Sequence, residues 1–87
     1  MSVAPSGPAR LSRAVAVAER DGPDAGLRAL DGLRSDSRTE AVRSELLARS
    51  GRFAEAVVAG QAALDGELTE PERRFRQRRL AEWVDAR

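Results

Sequence analysis

The stretch GRFAEAVVAGQAAL, residues 51–64, decides the fold class of this chain. Its apolar and small residues recur at spacings of three and four, which is the period of one face of an α-helix. Phe53 opens that face, Leu64 closes it, and Gly60 makes its middle narrow. Because the side chains in the middle of this face are small, we expect another helix to approach it closely.

Turn residues on both sides of this stretch divide the chain into five predicted helices. Gly22 and Pro23 end one helix and open the next, and further breaks fall at 50–51 and 65–67. The predicted spans are 9–20, 23–33, 39–49, 53–64 and, after a cap at Thr69, a last helix to about residue 86. Sustained alternation, isoleucine and tyrosine are missing from the sequence, so no strand is predicted. The predicted fold class is all-α, with five short helices in antiparallel hairpins.

Two pairs of residues predict helix starts. Ser37 with Glu40, and Thr69 with Glu72, have the spacing of a capping box. In that motif each side chain accepts a hydrogen bond from the backbone N–H of the other residue.

The predicted core is lean, because 16 of the 36 apolar residues are alanine. In the last helix, Arg76 and Arg79 fall within the same arc as the apolar residues. Their charged heads must therefore be paired, or their stems must lie along apolar surface. We expect Phe53→Ala and Trp83→Ala each to cost roughly 3 kcal/mol. The apolar residues of the last helix are Phe75, Leu80, Trp83 and Val84.

Composition narrows the function classes. The 87 residues predict one domain, 9–87, behind a flexible leader, 1–8. Without cysteine, histidine or tyrosine the chain has no disulfide, no thiolate or imidazole metal ligand, and no nucleophile of those types. We therefore expect no catalytic, cofactor or metal site. With no secretory signal and no apolar stretch of about 20 residues, a cytoplasmic protein without membrane contact is predicted.

The most highly charged segment lies in the last predicted helix, where five guanidinium groups fall within seven residues. Such a cluster could contact an acidic protein surface or phosphates. These arginines point all round the helix and have acidic neighbours within one turn, so a solvated, ion-paired helix is the simpler interpretation. Direct nucleic-acid contact is not expected, because no stacking aromatic residues accompany the charge. The candidate partner-contact residues are Arg73, Arg74, Arg76, Arg78 and Arg79.

The central stretch also resembles the tetratricopeptide pattern of glycine, aromatic, small residue and a later Ala-Leu. Gly51, Phe53 and Ala56, followed by Ala63-Leu64, carry the resemblance. In such repeats these are packing residues, which implies a tetratricopeptide-like helical repeat. The aromatic residue usual midway along the second helix is replaced by Gly60. We expect Trp83 or Phe75 from the last helix to fill that gap.

Three blocks of sequence resemble the C-terminal, tetratricopeptide-like extension of a group of extracytoplasmic-function RNA polymerase sigma factors. They are LSRAVAVAERDGPDAGL at 11–27, RSELLARSGRFAEA at 43–56, and EPERRF with RRLAE at 70–75 and 78–82. Three features depart from the family pattern. Ser12 stands where asparagine is usual, and Arg76 where an apolar residue is usual. The aromatic- or histidine-bearing segment usual before the second block is missing, and the chain has SRTE at 37–40 there. The motif positions carried by all these resemblances are Gly22, Pro23, Gly26, Leu27, Gly51, Phe53, Ala56, Ala63, Leu64, Phe75, Leu80 and Trp83.

The resemblance implies a non-catalytic regulatory module whose partner is a sigma factor or RNA polymerase. The family's DNA-reading regions precede this extension, so the chain is expected to be a free-standing relative, a truncated product or part of a larger protein. The alternative is a free-standing tetratricopeptide-like adaptor, unrelated to transcription, that binds a peptide in a groove. In that case the last helix should leave the groove open, whereas we expect Phe75 and Trp83 of that helix to fill it. Self-association is a further candidate, because short repeat arrays without polar end helices often pair.

Overall fold

A computed structural model describes residues 7–87 of the chain. Within that range the protein is all-α with five helices, as predicted, whereas their arrangement in antiparallel hairpins stays a prediction. The predicted leader, 1–8, falls partly outside the described residues; its last two residues, Gly7 and Pro8, already belong to the first helix. The helices are α1 (Gly7–Asp21), α2 (Pro23–Leu30), α3 (Ser37–Arg49), α4 (Phe53–Leu64) and α5 (Glu70–Ala86).

Glycines in the left-handed region of backbone conformation set the tight turns. Gly22 between α1 and α2 has φ 98°, and Gly51 between α3 and α4 has φ 82°. Residues with a Cβ rarely adopt these angles. The predicted end of the second helix at Leu33 is wrong, because Asp31 takes extended dihedrals directly after Leu30.

Each helix packs on the next one in the chain, and α1 also contacts α3. One core cluster joins α1, α2 and α3 through Ala14, Ala18, Leu30 and Leu46. The other joins α3, α4 and α5 through Leu47, Ala48, Ala56, Ala59, Leu80 and Trp83. Helix α3 thus contributes to both clusters, and the molecule is elongated, with extents of 49 × 28 × 18 Å. The tetratricopeptide-like repeat itself stays a prediction.

Helix α5 buries a different stripe from the one predicted. Arg76, Leu80 and Trp83 are buried, whereas Phe75 is 44% exposed and Val84 43% exposed. The buried residues are spaced by four and three, so they share the side that packs on α4. Phe75 and Val84 are each turned about 100° away from a buried neighbour in the chain. The apolar residues predicted for α5 thus include two, Phe75 and Val84, that the structure leaves exposed.

The gap beside Gly60 is filled from α5. A Cβ placed on Gly60 would lie 2.8 Å from Leu80 Cδ2 and 3.3 Å from Trp83 Cζ3. Trp83 therefore takes the expected place, together with Leu80, and Phe75 does not.

One of the two predicted capping boxes is present. At the start of α5, the Thr69 N–H donates to Glu72 Oε1 at 2.9 Å, and the Glu72 N–H donates to Thr69 Oγ1 at 3.3 Å. The predicted box at Ser37 and Glu40 is wrong. Asp36 caps α3 instead: its Oδ1 accepts from the Thr39 N–H at 2.8 Å. Aspartate and serine are about equally favoured as caps, and the cap at Asp36 leaves Ser37 as the first helical residue.

Removing this cap should destabilise the protein in a pH-dependent way. We expect Asp36→Ala to lower the free energy of unfolding by about 1 kcal/mol, and Ser37→Ala to change it little. The hydrogen bond from the Thr39 N–H lowers the pKa of Asp36. The destabilisation by Asp36→Ala should thus be complete above the ordinary aspartate pKa of about 3.9. It should fade as the pH falls through the lower pKa that Asp36 has in the folded protein. Urea unfolding of both variants at neutral and acid pH measures this, and equal losses for both would contradict it.

A second prediction concerns the close contact between α1 and α2 at Gly26. A Cβ on Gly26 would lie 2.5 Å from Ala18 Cβ, a short side chain that cannot move without its backbone. We expect Gly26→Ala to cost about 1–3 kcal/mol by overpacking. Gly60→Ala is the matched control. The nearest atom to a Cβ at residue 60 is Leu80 Cδ2, the end of a flexible side chain. Alanine also gains up to about 1 kcal/mol over glycine in helix propensity. If the thermal melting curves of the two variants coincide, α1 can move away from α2 to make room for the added methyl group.

Candidate interaction surface

Helices α1, α3 and α5 line a groove on one face of the molecule, called here the odd-helix groove. Leu11 lies on α1, Val42 on α3 and Phe75 on α5, while Leu68 comes from the loop before α5. The groove has a volume of about 280 Å³ and is lined by no residue of α2 or α4. Leu11, Val42 and Leu68 are half-buried and form an apolar floor beside the exposed ring of Phe75.

Two opposite charges border the groove. Arg38 Nη1 lies 3.6 Å from Glu72 Oε2, and the two side chains are 67% and 36% exposed. A third charged residue, Arg76, also lines the groove and is paired with Glu45. The groove therefore combines an apolar floor with the exposed Arg38–Glu72 pair at its border. The Thr69 N–H that donates to Glu72 lowers the pKa of that carboxyl group, which keeps it ionised.

A polar network centred on Glu45 ties α3 to α5 beneath this face. Arg76 Nη1 donates to Glu45 Oε2 at 3.0 Å and to Ser44 Oγ at 3.2 Å. Arg79 Nε donates to both Glu45 oxygens at 3.0 Å, and Arg79 Nη1 donates to Glu82 at 2.6 Å. The bond to Glu45 raises the pKa of Arg79. Of the two predicted alternatives for these arginines, paired heads or stems along apolar surface, the structure shows paired heads. These five residues are called the Glu45 network.

The two arginines of the network also lie against aromatic rings. The Arg79 guanidinium is 5.2 Å from the centre of the Trp83 ring, and that of Arg76 is 6.0 Å from it. Arg76 is also 5.3 Å from the Phe75 ring centre. Such contacts contribute about 0.5–2 kcal/mol, the more so when water is excluded. The network thus holds the position of Phe75 at the groove as well as that of Trp83 in the core.

The structure does not bring the five candidate arginines of α5 together into one patch. Arg73 donates to the carbonyls of Leu64 and Gly66, at 2.9 and 3.4 Å, and so caps the end of α4. Arg74 lies 3.9 Å from Glu70 on the solvent side. Arg78 is exposed and makes no side-chain hydrogen bond or ion pair within residues 9–87. Only Arg76 and Arg79 meet, and both are held by Glu45.

Sequence reasoning did not select Ser44 and Glu45 as site residues. The available signal was the need of Arg76 for a partner inside the buried arc. Several carboxylates could have met that need, and the sequence does not say which helix lies opposite.

The described residues include no group of three or more acidic side chains placed to hold a metal ion. None of the helices in that part of the chain is both long and apolar enough to cross a membrane. Every buried side-chain nitrogen or oxygen described has a hydrogen-bond partner. The face built from α1, α3 and α5 carries both an apolar cavity and an exposed aromatic ring.

In comparisons with known proteins, the chain matches no family model, no curated protein and no solved structure.

Proposed function

We propose that the chain is a non-catalytic protein-interaction module that binds its partner in the odd-helix groove. The observation that carries the proposal is the 44% exposed ring of Phe75 beside an apolar cavity. An aromatic side chain next to an apolar pocket, bordered by polar groups, is typical of the energetic centre of a protein interface.

The charges around the groove favour contact over catalysis. A general base that works near neutral pH needs a raised carboxyl pKa, whereas that of Glu72 is lowered. Glu45 already accepts hydrogen bonds from two arginines, so its oxygens are engaged in holding α5.

The resemblance of the three sequence blocks supports a partner in transcription initiation. On this proposal the groove takes an apolar segment of an extracytoplasmic-function sigma factor or of RNA polymerase, in the cytoplasm, and so modulates their engagement. The alternative is a peptide-binding adaptor unrelated to transcription. One observation favours keeping that alternative: Phe75 borders the groove and leaves it open.

A binding measurement with purified components tests the proposal. The probes are RNA polymerase core enzyme and an extracytoplasmic-function sigma factor that lacks its C-terminal extension. We expect binding to one of them and a loss of about 30-fold or more in affinity for Phe75→Ala, the size of an interface hot spot. Val58→Ala is the matched control, because Val58 is an exposed apolar residue of α4 outside the groove.

Two results would overturn the sigma-factor assignment. One is the absence of binding to either probe, and the other is binding that Phe75→Ala and Val58→Ala reduce equally. Capture of an apolar helical peptide by the groove, without either probe, would establish the adaptor alternative in its place.

A further inference from the structure

We infer that the odd-helix groove also pairs with a second copy of this chain, each Phe75 entering the groove of the other copy. The inference rests on the proposed function in taking this face as the binding surface, and it adds a regulation of that surface. Self-association covers the groove, so a partner must compete with the second copy.

The first argument is the fit of one side chain to one cavity. Among residues 9–87, the large apolar side chains that are exposed are Val15, Val58, Phe75 and Val84, and of these Phe75 lines the groove. The groove volume of about 280 Å³ is larger than the ~150 Å³ apolar cavity that accommodates a benzene ring. Phe75 forms a wall of its own groove and cannot fill it. The phenyl ring of a second copy is small enough to enter the groove and is apolar like its floor.

The second argument is charge complementarity. Arg38 and Glu72 border the groove, and their separation of 3.6 Å, with Arg38 67% exposed, leaves both able to take another partner. A two-fold axis through the face places Arg38 of each copy opposite Glu72 of the other, which pairs opposite charges twice. A second copy therefore supplies an opposite charge for each member of the exposed Arg38–Glu72 pair. The net charge of +1 adds little repulsion between copies.

Sedimentation of the full chain over a range of concentrations tests the inference. We expect a monomer–dimer equilibrium, and at least a 10-fold weaker dimer for Phe75→Glu. Unchanged circular dichroism is the check on folding, since Phe75 is not a core residue. Val58→Glu, an exposed apolar residue 71% accessible on α4, is the matched control and should dimerise as the parent does. A monomer at every concentration, or equal effects of both variants, would overturn the inference.

Disulfide trapping tests the orientation, because the chain has no cysteine of its own. A mixture of the Arg38→Cys and Glu72→Cys variants should oxidise to the mixed dimer faster than either variant alone forms its own dimer. Val58→Cys should cross-link slowest. Cross-linking of the mixture at the Val58→Cys rate would contradict the two-fold arrangement.

The two proposals fail in different ways. A chain that stays monomeric but binds sigma factor or polymerase through Phe75 refutes self-association and keeps the proposed function. A chain that dimerises through Phe75 and binds neither probe keeps self-association and refutes the sigma-factor assignment.

Discussion

Trp83→Ala is expected to lower the free energy of unfolding by about 3–5 kcal/mol, the largest single loss we predict for this chain. Trp83 is 2% exposed and belongs to the core cluster that joins α3, α4 and α5. Its ring also lies against the guanidinium groups of Arg76 and Arg79. A small domain has only about 5–15 kcal/mol of total stability, so such a loss threatens folding at physiological temperature.

The control for this prediction is Phe53→Ala. The sequence indicates equal losses at the two aromatic residues, but the structure separates them, because Phe53 is only half-buried. We expect Phe53→Ala to cost about 2 kcal/mol, less than Trp83→Ala. Urea unfolding followed by circular dichroism is the suitable measurement, since Trp83 is the only tryptophan and its fluorescence is lost in the variant. Equal unfolding midpoints for the two variants would show that α5 contributes less to the core than its burial indicates.

The second large effect is expected at Glu45, the carboxylate that holds two arginines of α5. We expect Glu45→Ala to cost about 3 kcal/mol, because it leaves the buried Arg76 guanidinium with one remaining hydrogen bond, to Ser44. The loss comes from desolvating an unpaired charge rather than from the attraction alone, so the direction does not depend on the strength of the ion pair.

A rescue and a matched control sharpen the test. Adding Arg76→Leu to Glu45→Ala removes the buried charge and should recover most of the stability. Glu82→Ala removes a carboxylate that is 60% exposed and pairs with Arg79 alone, and should cost about 1 kcal/mol or less. If thermal melts show equal losses for Glu45→Ala and Glu82→Ala, the Glu45 network does not anchor α5.

The local parts of the fold could be predicted from the chain itself. The apolar period and the flanking turns located α4 at 53–64, and Thr69 with Glu72 correctly marked the start of α5. These features depend on backbone hydrogen bonds and side chains within a few residues of one another. A short window of sequence therefore includes all the groups that interact. The prediction of a cap at Ser37 was wrong for a local reason. Asp36, one residue earlier, competes for the same N–H groups, and its carboxylate accepts the hydrogen bond from the Thr39 N–H.

The sequence by itself therefore determined the all-α class, most helix bounds, the place of Arg76 and Arg79 within the apolar arc of α5, and the lack of cysteine and histidine side chains. Only the tertiary structure decided that Glu45 supplies the pairing and that Phe75 turns toward the groove while Arg76 turns inward. Neighbouring residues differ by 100° on a helix, and the apolar arc of α5 is wide enough to include both. Which of them is buried depends on how α5 crosses α3 and α4, a long-range contact that no local pattern encodes.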